Sequence, residues 1–100
     1  MNIKIQAIQF TADQKLLELI DKKVSKLEQF FDRITSVEVY LKLDSQSSQI
    51  KDKVVRLKCS VPGTQLFAED TSKLFEEGIE NTVNSIRRQL KRHKEKMRAS

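Results

Sequence analysis

Tryptophan is missing from this 100-residue chain, and proline, cysteine, histidine and tyrosine each occur once. With only two glycines beside the single proline, collagen-like, linker-like and disordered classes are excluded. The lone cysteine, Cys59, has no partner for an internal disulfide, which fits a reducing compartment. No Cys-x-x-Cys or His-Glu-x-x-His spacing offers itself to a metal, and no Gly-rich loop is present to cradle a nucleotide phosphate. No run approaches the roughly 18 to 20 apolar residues needed to span a bilayer. The start, MNIKIQAIQF, lacks the charged block, apolar stretch and small-residue cleavage site of a signal peptide. These absences predict a cytoplasmic protein without membrane, metal or cofactor. Catalysis has no residues to assign: Cys59 reads as a small core residue, and His93 as boundary packing or a weak phosphate contact.

Charge is what the chain has in quantity. Charged residues make up 33% and apolar residues 38%, a balance that suits a single highly soluble domain over 1–100. The net charge is +5 and the pI about 9.5. Its distribution is more telling than its size, because seven Lys/Arg residues stand against one acid between Arg87 and Arg98. Excess cations on one element raise affinity for polyanions through counterion release and steering. The bland alternative is a solvated helix end, where cations meet the macrodipole favourably.

Hydrophobic periodicity divides the chain. Ile3, Ile5 and Ala7 alternate with polar residues over 3–8, the period of a half-buried strand. Thr11 and Gln14 have capping-box spacing. The helix that follows, to about Phe31, carries Leu16, Leu17, Ile20, Val24, Leu27, Phe30 and Phe31 on one face. A strand with Val37, Val39, Leu41 and Leu43 on one side comes next, then a polar connector over 44–49. A third strand carries Val55, Leu57, Cys59 and Val61, and Pro62-Gly63 turns it into a short fourth strand over 65–69. Asp70, Thr71 and Ser72 are candidate caps for a long second helix with the stripe Phe75, Ile79, Val83, Ile86, Leu90 and Met97. Gly78 costs that helix about 1 kcal/mol relative to Ala, which points to close approach to the sheet. The last residues, 97–100, are expected to fray. The fold class is α+β, in the order β-α-β-β-β-α, with both helices on one face of a four-stranded sheet and the other face to solvent.

The cations are segregated on these helices. Lys15, Lys22, Lys26 and, with continued helical phase, Arg33 project within a sector of roughly 40° bordering the apolar face. Lys23 lies nearer the apolar edge, placed to snorkel. In the second helix Arg87, Lys91, Lys94 and Arg98 form a stripe, and Arg88, Arg92 and Lys96 widen it. Two basic stripes on neighbouring helices can make one positive groove, which suits a phosphate backbone better than a small anion. Base reading has less support, since no basic-aromatic strand motif of the stacking kind is present.

Three segments carry a family resemblance. The run Lys26-Leu27-Glu28-Gln29-Phe30-Phe31-Asp32-Arg33-Ile34 resembles the "KLE-x-aromatic-F-x-RI" segment of ribosome hibernation-promoting factors and ribosome-associated inhibitor A. Arg88 to Lys96 resembles the basic end of their second helix, and Phe75 to Glu80 the helix start of some members. The resemblance implies a domain similar to double-stranded-RNA-binding folds. It would bind small-subunit ribosomal RNA in the channel used by messenger and transfer RNA, and inhibit translation by occupancy. Such a factor acts in bacterial stress, is a monomer when free and binds no DNA. Lys23, Lys26, Arg88, Arg92, Lys94 and Lys96 match basic positions of the family, while Lys22, Arg87 and Lys91 join them from the stripe argument. Ser85 stands where some relatives are basic. The length corresponds to the short form, expected to lack both the C-terminal domain that pairs ribosomes in long members and the extended tail of the inhibitor. A short form can favour ribosome dimers with a separate dimerising factor or hold single ribosomes inactive. A binder of another structured RNA, and a module for an acidic protein, stay open as alternatives.

Overall fold

In the computed structural model, which describes residues 1–44 and 52–99, four strands and two helices follow one another in the expected order. The connector expected over 44–49 lies, past Asp44, outside the described residues. β1 (Asn2–Ile8) pairs in parallel with β2 (Ser36–Asp44), and α1 (Gln14–Ser25) makes the crossover that a parallel pair requires. β3 (Asp52–Val61) runs antiparallel to β2, and β4 (Thr64–Ser72) antiparallel to β3, giving the sheet order β1-β2-β3-β4. α2 (Phe75–Ala99) closes the chain against β3, β4 and α1. α2 extends to Ala99; of the residues 97–100 expected to fray, the last lies outside the described residues.

Strand alternation fixes which face meets the helices. Ile3 pairs with Val37 and Val37 with Cys59, while Ile5, Val39, Leu57 and Ala68 form the next row across the sheet. These side chains, with Leu41, Val55 and Val61, share one core with Leu16, Ile20 and Val24 of α1 and with Phe75, Ile79, Ile86 and Leu90 of α2. A one-residue slip of any strand would turn its whole apolar set to water, so the burial pattern specifies the register. The outer face carries polar rows such as Lys4, Glu38 and Lys58, with Arg56 bonded to Glu69 across β3 and β4 at 2.6 Å. Tyr40 donates to the Glu38 carboxylate there, which raises its pKa above the ordinary 10.0, with lost hydration and the Glu38 charge adding to the effect.

Several local features depart from the sequence expectations. Asp13, not Thr11, caps α1: its carboxylate accepts from the Leu16 amide at 2.8 Å. Asp70, Thr71 and Ser72 are not caps but the end of a β4 that is longer than expected, and α2 begins at Phe75. Phe30 and Met97, expected in the apolar stripes, are 41% and 39% exposed. The close approach inferred at Gly78 is real, because a Cβ there would lie 2.6 Å from Val55 Cγ2. Pro62 and Gly63 make the β3–β4 turn, and Gly63 takes the positive φ of 86° that such a turn asks of its second central residue.

Candidate nucleic-acid interface

The helix expected to run to Phe31 stops at Ser25 and tightens into a 3₁₀ turn over Lys26–Gln29. The amides of Phe30 and Phe31 both reach the Leu27 carbonyl, at 3.0 and 3.3 Å. This tightening carries Leu27, Phe31 and Ile34 into the core and leaves Phe30 outside. Phe31 meets His93 of α2 edge-on, ring centroids 5.4 Å apart, which fastens the far part of α2 to the turn. The His93 Nε2 has no hydrogen-bond partner among the described residues. Beyond Leu90, α2 has no fully buried side chain through Arg98. It therefore projects past the core as a basic arm braced at His93.

Between the 3₁₀ turn and this arm runs a cleft of about 550 Å³, lined by Gln29, Phe30, Arg87, Arg88, Lys91 and Lys94. An adjoining hollow of about 200 Å³ adds Lys23, Lys26 and Glu80. On the far side of Phe30 a third, of about 530 Å³, is bordered by Arg33, Lys94 and Arg98 together with Glu28 and Asp32. The Arg87 guanidinium carbon stands 5.4 Å from the Phe30 ring centroid, within cation–π range. Among the described residues, Lys26, Arg87, Arg88, Lys91 and Lys94 make no salt bridge. An incoming anion would have no carboxylate to displace from them.

The structure thus brings together Lys23, Lys26, Arg87, Arg88, Lys91 and Lys94 and leaves Lys22, Arg92 and Lys96 outside these clefts. At about 100° per residue, Arg87, Lys91, Lys94 and Arg98 share the flank of α2 that faces the turn, whereas Arg92 and Lys96 lie on the flank toward β4. On that side Gln89 donates to the Phe67 carbonyl at 2.9 Å. Lys15 and Lys22 are exposed on the side of α1 opposite Ile20, not bordering the apolar face, and Arg33 lies past the helix. Lys23 is half-buried and bonded to Glu80 at 3.0 Å, tying α1 to α2. Ser85 accepts from Gln89 at 3.2 Å. Phe30 is the site residue that periodicity missed. On a helix Phe30 and Phe31 would point about 100° apart, and here only Phe31 is buried.

Cys59 is fully buried, and burial pushes its thiol from 9.0 up to about 11, unsuited to nucleophilic work at neutral pH. No cluster of three or more His, Cys, Asp or Glu among the described residues could hold a metal ion. None of the described helices is long and apolar enough to cross a membrane.

Comparison with known proteins agrees with this architecture. The ribosome hibernation promoting factor of Salmonella typhimurium is 30% identical over 98 residues, 98% of each chain. That of Azotobacter vinelandii is 29% identical over 96% of this chain and 85% of its own. Among solved structures, a ribosomal subunit interface protein from Coxiella burnetii superposes with a TM-score of 0.81 at 19% identity, covering 94% of this chain and 98% of that one. The N-terminal domain of Thermus thermophilus Protein Y superposes with a TM-score of 0.80 at 21% identity, covering 93% and 99%. At those identities the two structures speak to the fold. The family model described as sigma 54 modulation protein / S30EA ribosomal protein matches residues 3–98, and the chain belongs to that family.

Proposed function

We propose that this protein is a ribosome hibernation factor that binds small-subunit ribosomal RNA through the basic cleft and excludes messenger and transfer RNA by occupying their channel. The observation that carries the proposal is the group of salt-bridge-free cations, Lys26, Arg87, Arg88, Lys91 and Lys94, gathered between the 3₁₀ turn and α2. Cations already paired would have to break those pairs before meeting phosphate, whereas these are ready to release phosphate counterions on contact. The names of the relatives supply the choice of ribosome among polyanions. The reading is of a steric inhibitor, without a chemical step, working in the cytoplasm beside ribosomes and, where ribosomes pair, with a separate dimerising factor.

Sucrose-gradient sedimentation tests it. Purified small subunits and whole ribosomes should carry the protein down the gradient at low salt and release it steeply as salt rises. Protein remaining at the top of a low-salt gradient would overturn the proposal. In a second arm, excess messenger and transfer RNA should reduce binding, and indifference to both would reject the channel as the site.

A further inference from the structure

We propose that Phe30 and Arg87 form a seat for one unstacked nucleobase, so that the cleft reads a bulged or single-stranded nucleotide as well as backbone phosphates; this rests on the RNA-binding reading above. Phe30 leaves 41% of its surface to water while its neighbour Phe31 is buried. The Phe30 ring lies among Arg87, Arg88, Lys91 and Lys94, with the Arg87 guanidinium 5.4 Å from its centroid. Phe67, which is 55% exposed, belongs to the outer face of the sheet and has no place in this cleft.

Unpaired bases stack on aromatic rings and on guanidinium planes, and here one of each occupies the same cleft. A base also has a polar edge, and Gln29 on the cleft wall carries both a donor and an acceptor for it. Lys91 and Lys94 flank the seat where the phosphates on either side of an extruded nucleotide would pass. The volume of about 550 Å³ suits a small planar group. An acidic protein segment without aromatic residues would satisfy the cations but give the exposed ring no π-faced partner.

The test uses a 16-base-pair RNA duplex bearing one bulged 2-aminopurine and the same duplex without the bulge. Because the protein has no tryptophan, the fluorescent base is read without interference. The bulged RNA should bind roughly tenfold more tightly, and its fluorescence should change as the base leaves its stacked neighbours. Phe30→Leu keeps an apolar side chain but no π face, so it should lose both the preference and the fluorescence change. Phe30→Tyr should keep both. Equal affinity for the two RNAs, a preference that survives Phe30→Leu, or failure to bind either RNA at low salt would overturn the seat. Sedimentation with small subunits, run alongside, separates the two readings. Comigration without RNA discrimination rejects the seat and leaves the ribosome reading standing, and discrimination without comigration does the reverse.

Discussion

α2 crosses β3 at Gly78, where an added Cβ would meet Val55 Cγ2 at 2.6 Å and its Cβ at 3.3 Å. Val55 is fully buried and β-branched, so it has little freedom to move aside. Gly78→Ala gains about 1 kcal/mol of helix propensity and loses about 1–3 kcal/mol to overpacking. A net loss of about 1 kcal/mol is expected in urea unfolding. In a Val55→Ala background, where only the Cβ contact at 3.3 Å remains, the same change should cost less. Cys59 gives a second expectation. Its thiol holds a proton up to about pH 11 when folded and to 9.0 by its ordinary value, so above pH 9 the unfolded chain releases that proton first. The stability it contributes is complete below pH 9 and falls as pH rises through 11. Tyr40, also raised, has the same sign above pH 10. Comparing wild type with Cys59→Ala across pH 8 to 11 isolates the thiol: the variant should show the shallower decline.

At the scale of elements, the strands were legible because one face is buried and alternation records it, and the stripe from Phe75 to Leu90 was legible for the analogous helical reason. The ends of elements were not. Thr11 and Gln14 have the spacing of a capping box, yet Thr11 is exposed and the Leu16 amide donates to the Asp13 carboxylate. Asp13→Ala should therefore cost about 1 kcal/mol in thermal or urea unfolding and Thr11→Ala only a few tenths; equal losses would restore the capping box. Asp70 to Ser72 look like helix caps by composition, but the β3 ladder extends to them, with Val55 paired to Asp70 and Lys53 to Ser72. The Asp70 carboxylate accepts from the Ser72 hydroxyl and, at 3.2 Å, from Asn81 of α2. Tertiary pairing thus claims polar groups whose local preference is a cap. The end of α1 was hidden for a related reason. Leu27, Phe30 and Phe31 extend its apolar period, but burying Phe31 and Ile34 requires the chain to tighten first. The basic composition of the site could be read directly, whereas the exposure of Phe30 could not.

Across the whole molecule, charge is ordered by position along α2. Glu76 and Glu77 occupy its first turn, where the dipole favours acids, and cations dominate the projecting arm. The sequence shows how many cations that arm carries, but only packing shows which flank faces the 3₁₀ turn. This yields a test with the total charge held constant. Lys91→Glu with Lys94→Glu changes the cleft flank, and Arg92→Glu with Lys96→Glu makes the same charge change on the flank toward β4. All four side chains are exposed, so both double variants should fold with near-wild-type melting temperatures. If the phosphate backbone lies in the cleft, the first pair should lose at least about tenfold more affinity for small subunits than the second. Its log–log salt slope should also be shallower by about one for each contact removed. Were long-range attraction to a basic arm the whole mechanism, the two variants would lose affinity equally, because a diffuse field depends on total charge and not on the flank that bears it. Affinities of the two variants for small subunits, measured from 50 to 200 mM salt, decide between a built groove and a merely positive helix end.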